Sequence, residues 1–265
     1  MVRLHVKCGD ESHFLFDTTV TTPTDVLIPQ ILEIYHARLK VFRICSAIEE
    51  LAAHGTALPP NIVGLTDEQV EELKLVDEWG EICLPSGGFT LEKDPIGRRN
   101  GKKPNPNMVK VLLKTVSEAK DAISKNLAQS GTPLTFSVVK EQLSLLSGAV
   151  TIVYPMSLPP HDPIRMEFEG REELEGTHDS LAVMSEAQLW FCGKEITPQK
   201  LLSDFTGKND KTKVVVKLSK KGNGPPGREP VLSEDDRKEL MLHAYRKQQE
   251  AKVSTKTLYL TYAPS

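Results

Sequence analysis

Polar and apolar residues alternate at the start of the chain. Val2, Leu4 and Val6 stand against Arg3, His5 and Lys7, the period of two of a half-buried strand. Cys8 to Glu11 supplies turn residues, and His13 to Phe16 reads as the returning strand of a hairpin. The period then lengthens. Ile28, Ile31, Leu32, Tyr35 and Leu39 follow helical spacing behind Thr24 and Asp25, which can cap a helix. Pro29 suggests that the regular part begins there, where a missing N–H costs little. A second helix is predicted from about Val41 to Ala53, stopped by His54-Gly55 and Pro59-Pro60.

Thr66, with Gln69 three residues on, forms a capping box for an acidic amphipathic helix to Val76. Trp79 to Asn107 is rich in Gly, Pro and Asn and reads as a long ordered loop with a short strand at Phe89 to Leu91. Met108 to Leu127 has Val111, Leu112, Ala119, Ala122 and Ile123 along one side, a clear helix. Another is predicted from Ser137 to Leu146. After it, Ala149 to Tyr154 is a continuous β-prone run, and Ile164, Met166 and Phe168 alternate with Arg165, Glu167 and Glu169. With a Pro-rich turn between them, these predict a wide hairpin.

Downstream, Leu189-Trp190-Phe191-Cys192-Gly193-Lys194-Glu195-Ile196 is followed by Leu202-Ser203-Asp204-Phe205 and the strand Lys213 to Leu218. This order resembles the second half of ubiquitin-like domains, where a Gly-Lys turn, a Leu-Ser-Asp-aromatic turn and a final apolar strand close a β-grasp sheet. Gly193 suits the positive φ of a tight turn, and Leu202 and Phe205 would plug the end of the sheet. The expected fold is therefore α+β. It comprises an N-terminal hairpin with helices (1–60), a helical middle with a long loop (61–147), a ubiquitin-like β-grasp domain (148–219), and a linker, terminal helix and tail (220–265). The final strand runs on through Lys220 and Lys221, so a conjugated modifier with a free Gly-Gly end is not expected. The terminal helix is predicted from Ser233 to about Glu250, with Leu240, Met241, Leu242 and Tyr245 as a partial apolar side.

Charge changes the picture locally, not globally. The 265 residues hold 33 Lys+Arg against 36 Asp+Glu, a net charge of −3. That balance argues against a dedicated nucleic-acid binder. No apolar run approaches the roughly 18 residues of a membrane span. Arg3, Lys7 and Asp10 occupy the place of a signal-peptide core, so secretion is not expected. The four cysteines are far apart with no Cys-x-x-Cys, which suits buried thiols of a reducing, cytoplasmic compartment. Yet Thr66 to Glu81 is acidic by about −6 and Ile96 to Lys125 basic by about +6. The arrangement suits solvated faces or protein docking surfaces. Arg98, Arg99, Lys102 and Lys103, four cations in one glycine-containing loop, are the candidate protein-interaction residues, with intramolecular pairing or an acidic protein partner as their uses.

Candidate chemistry adds little. Gly222, Gly224 and Gly227 match Gly-x-Gly-x-x-Gly, but Pro225 and Pro226 remove amides that would hold a pyrophosphate, so a linker is expected. His5, Cys8 and His13 could converge on a metal across the first hairpin but lack a fourth ligand at a recognised spacing. There is no Gly-x-Ser-x-Gly and no His-Glu-x-x-His. No enzyme, cofactor or metal is expected.

Longer strings are more specific. They include Leu4-His5-Val6-Lys7 with Gly9-Asp10-Glu11-Ser12, Gly64-Leu65-Thr66-Asp67, Asp77-Glu78-Trp79-Gly80-Glu81, Ile96-Gly97-Arg98-Arg99-Asn100-Gly101, and Ile152-Val153-Tyr154-Pro155-Met156. With Asp162-Pro163-Ile164-Arg165-Met166-Glu167-Phe168-Glu169, they closely resemble the kurly family of cilia- and flagella-associated proteins, from the start of the chain to about Glu250. The resemblance implies a non-enzymatic factor for motile cilia, in the cytoplasm and at basal bodies. Such a factor supports preassembly of axonemal outer dynein arms, with assembly factors, chaperones or axonemal dynein subunits as partners. Neither nucleic acid nor membrane insertion is implied. One departure is the tail: Val253 to Ser265 is rich in Ser, Thr and Tyr where the family usually ends in Trp- and basic-rich sequence. A second function class is a ubiquitin-pathway adaptor docking through the β-grasp domain, and a third is a phosphate-binding enzyme.

Overall fold

The structure, a computed structural model, describes residues 1–170, 187–220, 222, 224–227 and 237–247. Val2–Cys8 (β1) and Glu11–Thr18 (β2) form the antiparallel hairpin that the alternation predicts. Thr24–His54 (α1) is one continuous helix of 31 residues where two were expected. Pro29 lies inside it and removes one intrahelical donor near the start. Burial outweighs that loss, because Leu27, Ile31, Ile34, Val41, Ile44, Ile48 and Leu51 keep one face inward across the expected break.

Asp67–Glu72 (α2) starts at the Thr66 capping box, with both of its hydrogen bonds formed. Glu78–Ile82 (α3), Phe89–Leu91 (β3) and Lys102–Pro104 (β4) add order to the long loop. Pro106–Ala122 (α4) and Asn126–Ser130 (α5) replace the single helix expected over Met108 to Leu127.

The hairpin predicted over Ala149 to Tyr154 and Ile164 to Phe168 does not form. Phe136–Val153 (α6) runs helical through the β-branched stretch, and Pro163–Glu169 (α7) is a short helix. In α6 the buried Val139, Leu146, Ala149, Val150 and Val153 recur at helical spacing against α1 and α4, so tertiary burial overrides β-propensity. In α7 the carboxylate of Asp162 caps the Ile164 amide at 3.0 Å, Pro163 takes the first turn, and Gly170 closes the helix at φ 67°. Among the described residues α6 is long and apolar enough to cross a membrane, with mean hydropathy 1.3. One side of it, Val139, Leu146, Ala149, Val150 and Val153, is buried and the helix packs against α1 and α4, whereas Leu145 and Ile152 are exposed at 49% and 62%.

Ala187–Phe191 (β5), Lys194–Glu195 (β6) and Lys213–Lys220 (β7) complete a five-stranded sheet in the order β2-β1-β7-β5-β6. The β1–β7 pair is parallel and the others antiparallel. With α1 following the first hairpin, this is a β-grasp topology, and it corrects the domain expectation. The sheet is not confined to 148–219; it takes β1 and β2 from the start of the chain, and α2 to α7 are inserted between its halves. Residues 1–226 accordingly form one compact unit. The turn after β5 places Cys192 at φ 49° and Gly193 at φ 76°, the paired positive angles of a tight hairpin turn.

Register explains the core. Leu4 lies opposite Phe16 and Val214, Val6 opposite Phe14 and Val216, and Leu218 opposite Leu189. These share one face and join Leu27 and Ile31 of α1 in an apolar core that continues through Ile44 and Ile48 to Leu112, Val116, Leu146 and Val153. A helix of this length spans roughly 46 Å, enough to serve both the sheet and the helices. Leu202, fully buried, opens the short helix Ser203–Thr206 (α8), whose preceding turn is tied to α1 by Thr24. The Thr24 hydroxyl donates to the Thr197 and Lys200 carbonyls at 2.8 and 3.0 Å.

The start of the expected terminal helix at Ser233 and the Val253 to Ser265 tail lie outside the described residues. The second unit, 227–265, contains helical residues 237–247, with Leu240, Met241, Leu242 and Tyr245 exposed.

His5, Cys8 and His13 are not brought together. His5 meets Ser12 Oγ, whereas His13 is buried and its Nδ1 accepts from Arg38, itself bonded to the Ile123 carbonyl. Burial first, and then the Arg38 guanidinium, push His13 down to about 4, against a partial upward pull from Glu11. The unfolded chain therefore takes up a proton near pH 6.5 that the folded chain refuses, so stability falls as pH drops through that window. Between pH 6.5 and 5 the loss from His13 is about 1.5 kcal/mol. Urea denaturation across this range should show a shallower slope for His13→Gln, whose amide oxygen can still accept from Arg38. An unchanged slope would contradict the assignment.

Candidate protein-interaction site

The loop carrying the four candidate cations is shaped by Asp94. Asp94-Pro95-Ile96-Gly97 has the residue types of a type I turn, closed by the Gly97 amide donating to the Asp94 carbonyl at 3.1 Å. The Asp94 carboxylate then accepts from the amides of Ile96, Arg98 and Arg99 at 3.0, 2.8 and 3.0 Å. Burial would push this carboxyl up. The three amides, with nearby His54, outweigh it and hold it below the usual carboxylate range.

The loop is also stitched to the end of α1. Leu58 donates to the Arg98 carbonyl, Asn100 to Thr56 and Gly101 to His54, at 2.9, 3.0 and 2.9 Å. Gly55 makes this approach possible. Its φ is 81°, and a Cβ there would stand 2.5 Å from the Lys102 carbonyl oxygen.

The four cations consequently have different fates. Arg99 is buried at 5% exposure and donates to the carbonyls of Gly55 and Ala47 at 2.8 and 3.1 Å. Its guanidinium also lies 3.5 Å from Glu50 and 3.8 Å from the fully buried Asp162. Lys102 donates to the Gly80 carbonyl at 2.8 Å and sits over the Phe89 ring. Lys103 pairs with Glu92 at 2.6 Å, which holds the Glu92 carboxyl below its usual range. Arg98 alone of the four is exposed. The structure thus ties three of the four into the fold and turns one outward.

Asp162 joins this anchor to α7. Besides capping Ile164, it accepts from the Ala57 amide at 3.0 Å. Tyr154, packed nearby, is almost wholly buried with no hydrogen-bond partner for its hydroxyl; burial, and then Asp162, push that hydroxyl up.

Beside the anchored loop lies a cleft of about 450 Å³, lined by Leu58, Ile62, Leu65, Val70, Leu75 and Leu91, with Glu71, Asp77 and Glu92 among its charged groups. That volume falls within the range of ligand pockets. Sequence reasoning missed this feature. Leu75, Val76, Leu91 and Ile96, apolar residues in polar surroundings, were its available signal. Among the described residues no group of three metal-ligating side chains gathers anywhere.

Fold and site together define an α+β protein that carries an apolar cleft with a charged rim. Residues 187–258 match the family model described as Cilia- and flagella-associated protein 298. Cilia- and flagella-associated protein 298 of Danio rerio is 59% identical over 238 residues, 89% of this chain and 82% of the relative. Protein 298-A of Xenopus laevis is 57% identical over 237 residues, with the same coverage. The Homo sapiens protein is 55% identical over 235 residues, 88% of this chain and 81% of the relative. No solved structure matches the chain. The chain belongs to the family of cilia- and flagella-associated protein 298.

Adjacent arginines should separate sharply in stability. Arg99→Ala strips a buried partner from Asp162 and should cost about 3 kcal/mol, whereas Arg98→Ala should stay within about 0.5 kcal/mol. Equal losses in urea denaturation would contradict the anchoring role of Arg99.

Proposed function

We propose that the protein is a non-enzymatic adaptor for motile cilia that supports cytoplasmic assembly of axonemal outer dynein arms. The observation that carries this is the identity of more than half the residues, across about nine-tenths of the chain, with proteins named for cilia and flagella. Family membership supports the cilium-related role. The step to dynein arms and to a cytoplasmic and basal-body location rests on the resemblance of the strings quoted above. An adaptor works through surfaces. Exposed Leu91, Val76 and Ile96 around an apolar cleft favour protein contact, since scattered charge alone would give little affinity. Its partners in this reading are dynein-arm assembly factors, chaperones or axonemal dynein subunits.

The β-grasp strand order favours a second reading, an adaptor of the ubiquitin pathway. The two separate in one experiment. Depletion from motile ciliated cells should remove outer arms in electron micrographs and slow beating, and re-expression should restore both. Affinity purification from the same cells should recover dynein chains or assembly chaperones. Normal arms and beating after depletion, with a pull-down dominated by proteasome or ubiquitin-ligase components, would overturn the assembly role.

A further inference from the structure

The cleft carries a charge pattern opposite to the one its neighbouring cations suggest. On one wall Glu71 and Asp77 line it, and Glu68, Glu72, Glu78 and Glu81 stand exposed along α2 and α3. None of these exposed glutamates forms an ion pair with a described residue, and Lys74 is the sole cation between Thr66 and Glu81. On the opposite lip Lys93 is the exposed cation that lines the cleft, and the charges around it are engaged in the fold. Glu92 holds Lys103, Asp94 holds three backbone amides, and Arg99 is buried beneath the loop.

The apolar component flanks the cleft on both sides. Leu91 lines the cleft at 80% exposure, and Leu73, Val76 and Ile96 of the flanking segments are exposed at 59%, 72% and 69%. Apolar surface of this kind, rimmed by charge, marks an interaction site. Apolar side chains entering the cleft would supply affinity, and the exposed glutamates would set register and attract opposite charge.

We propose that the cleft between α2 and the β3–β4 loop docks a basic amphipathic segment of a partner protein, with its apolar side chains in the cleft and its Lys and Arg against the α2–α3 carboxylates. The proposal rests on the adaptor role and specifies its partner's chemistry. It replaces the acidic partner expected from the four-cation loop, because three of those cations serve the fold.

The test titrates the full chain with a short fluorescent helical peptide bearing leucines on one face and lysines on the other. A counterpart carries glutamates in place of the lysines. The lysine peptide should bind at least about tenfold more tightly, with an affinity that falls as salt is raised. Glu71→Lys combined with Glu72→Lys should remove that preference. Leu91→Ser should weaken the lysine peptide about tenfold through lost apolar contact. All three residues are exposed, so unfolding midpoints should match the parent. No binding of the lysine peptide, preference for the glutamate peptide, or binding indifferent to Leu91 and Glu71 would each overturn the proposal. Those outcomes leave the depletion experiment untouched, whereas normal outer arms after depletion would sink the assembly role whatever the peptides do.

Discussion

The parallel pairing of β1 with β7 is the contact on which the rest of the structure depends. It joins Leu4 to Val214 and Val6 to Val216, residues from opposite ends of the compact unit. Parallel neighbours need a crossover connection, and here that connection carries α1, the entire helical middle and the β5–β6 hairpin. The loop-closure cost of so long an excursion is offset only when the inner face of the sheet meets α1. The sheet, α1, α4 and α6 therefore share one core, and the inserted helices are not an independent domain.

That constraint also places the cleft. The first half of α1 belongs to the sheet, so its last turn and Gly55 are fixed, and residues 98–101 are laid against them by backbone hydrogen bonds. Asp94 then holds the loop's amides, while Asp162 ties α7 to Ala57 and lies near Arg99. These buried carboxylates are structural: each satisfies backbone donors that would otherwise be stranded. Asp77 caps α3 through the Gly80 amide, but the exposed glutamates of α2 and α3 have no such task among the described residues, and that contrast separates a scaffold from a docking wall.

Elements with strong local signals were legible in the sequence. The β1–β2 alternation, the Thr66 capping box, the Gly193 turn and the Leu202 plug all sit where residue chemistry put them. The β-prone stretch from Ala149 to Val153 misled because propensity is local and the burial that overrides it is not. Ile164, Met166 and Phe168 alternate like a strand, yet the Asp162 cap, Pro163 in the first turn and left-handed Gly170 make 163–169 a helix. At the candidate site, the four adjacent cations looked equivalent as a string. Only the fold could distinguish Arg99, buried under Gly55, from Arg98, turned to solvent. The partnership of the N-terminal hairpin with β7 was likewise invisible, because strand pairing across the whole chain leaves no local pattern.

Native-state hydrogen exchange tests the central claim, that the two ends of 1–226 close a single cooperative sheet. The amides of Val6 and Val216 should exchange only through global unfolding, at the same free energy as buried amides of α4 and α6. Exchange of β5 to β7 as a separate unit, with β1 opening independently, would contradict it.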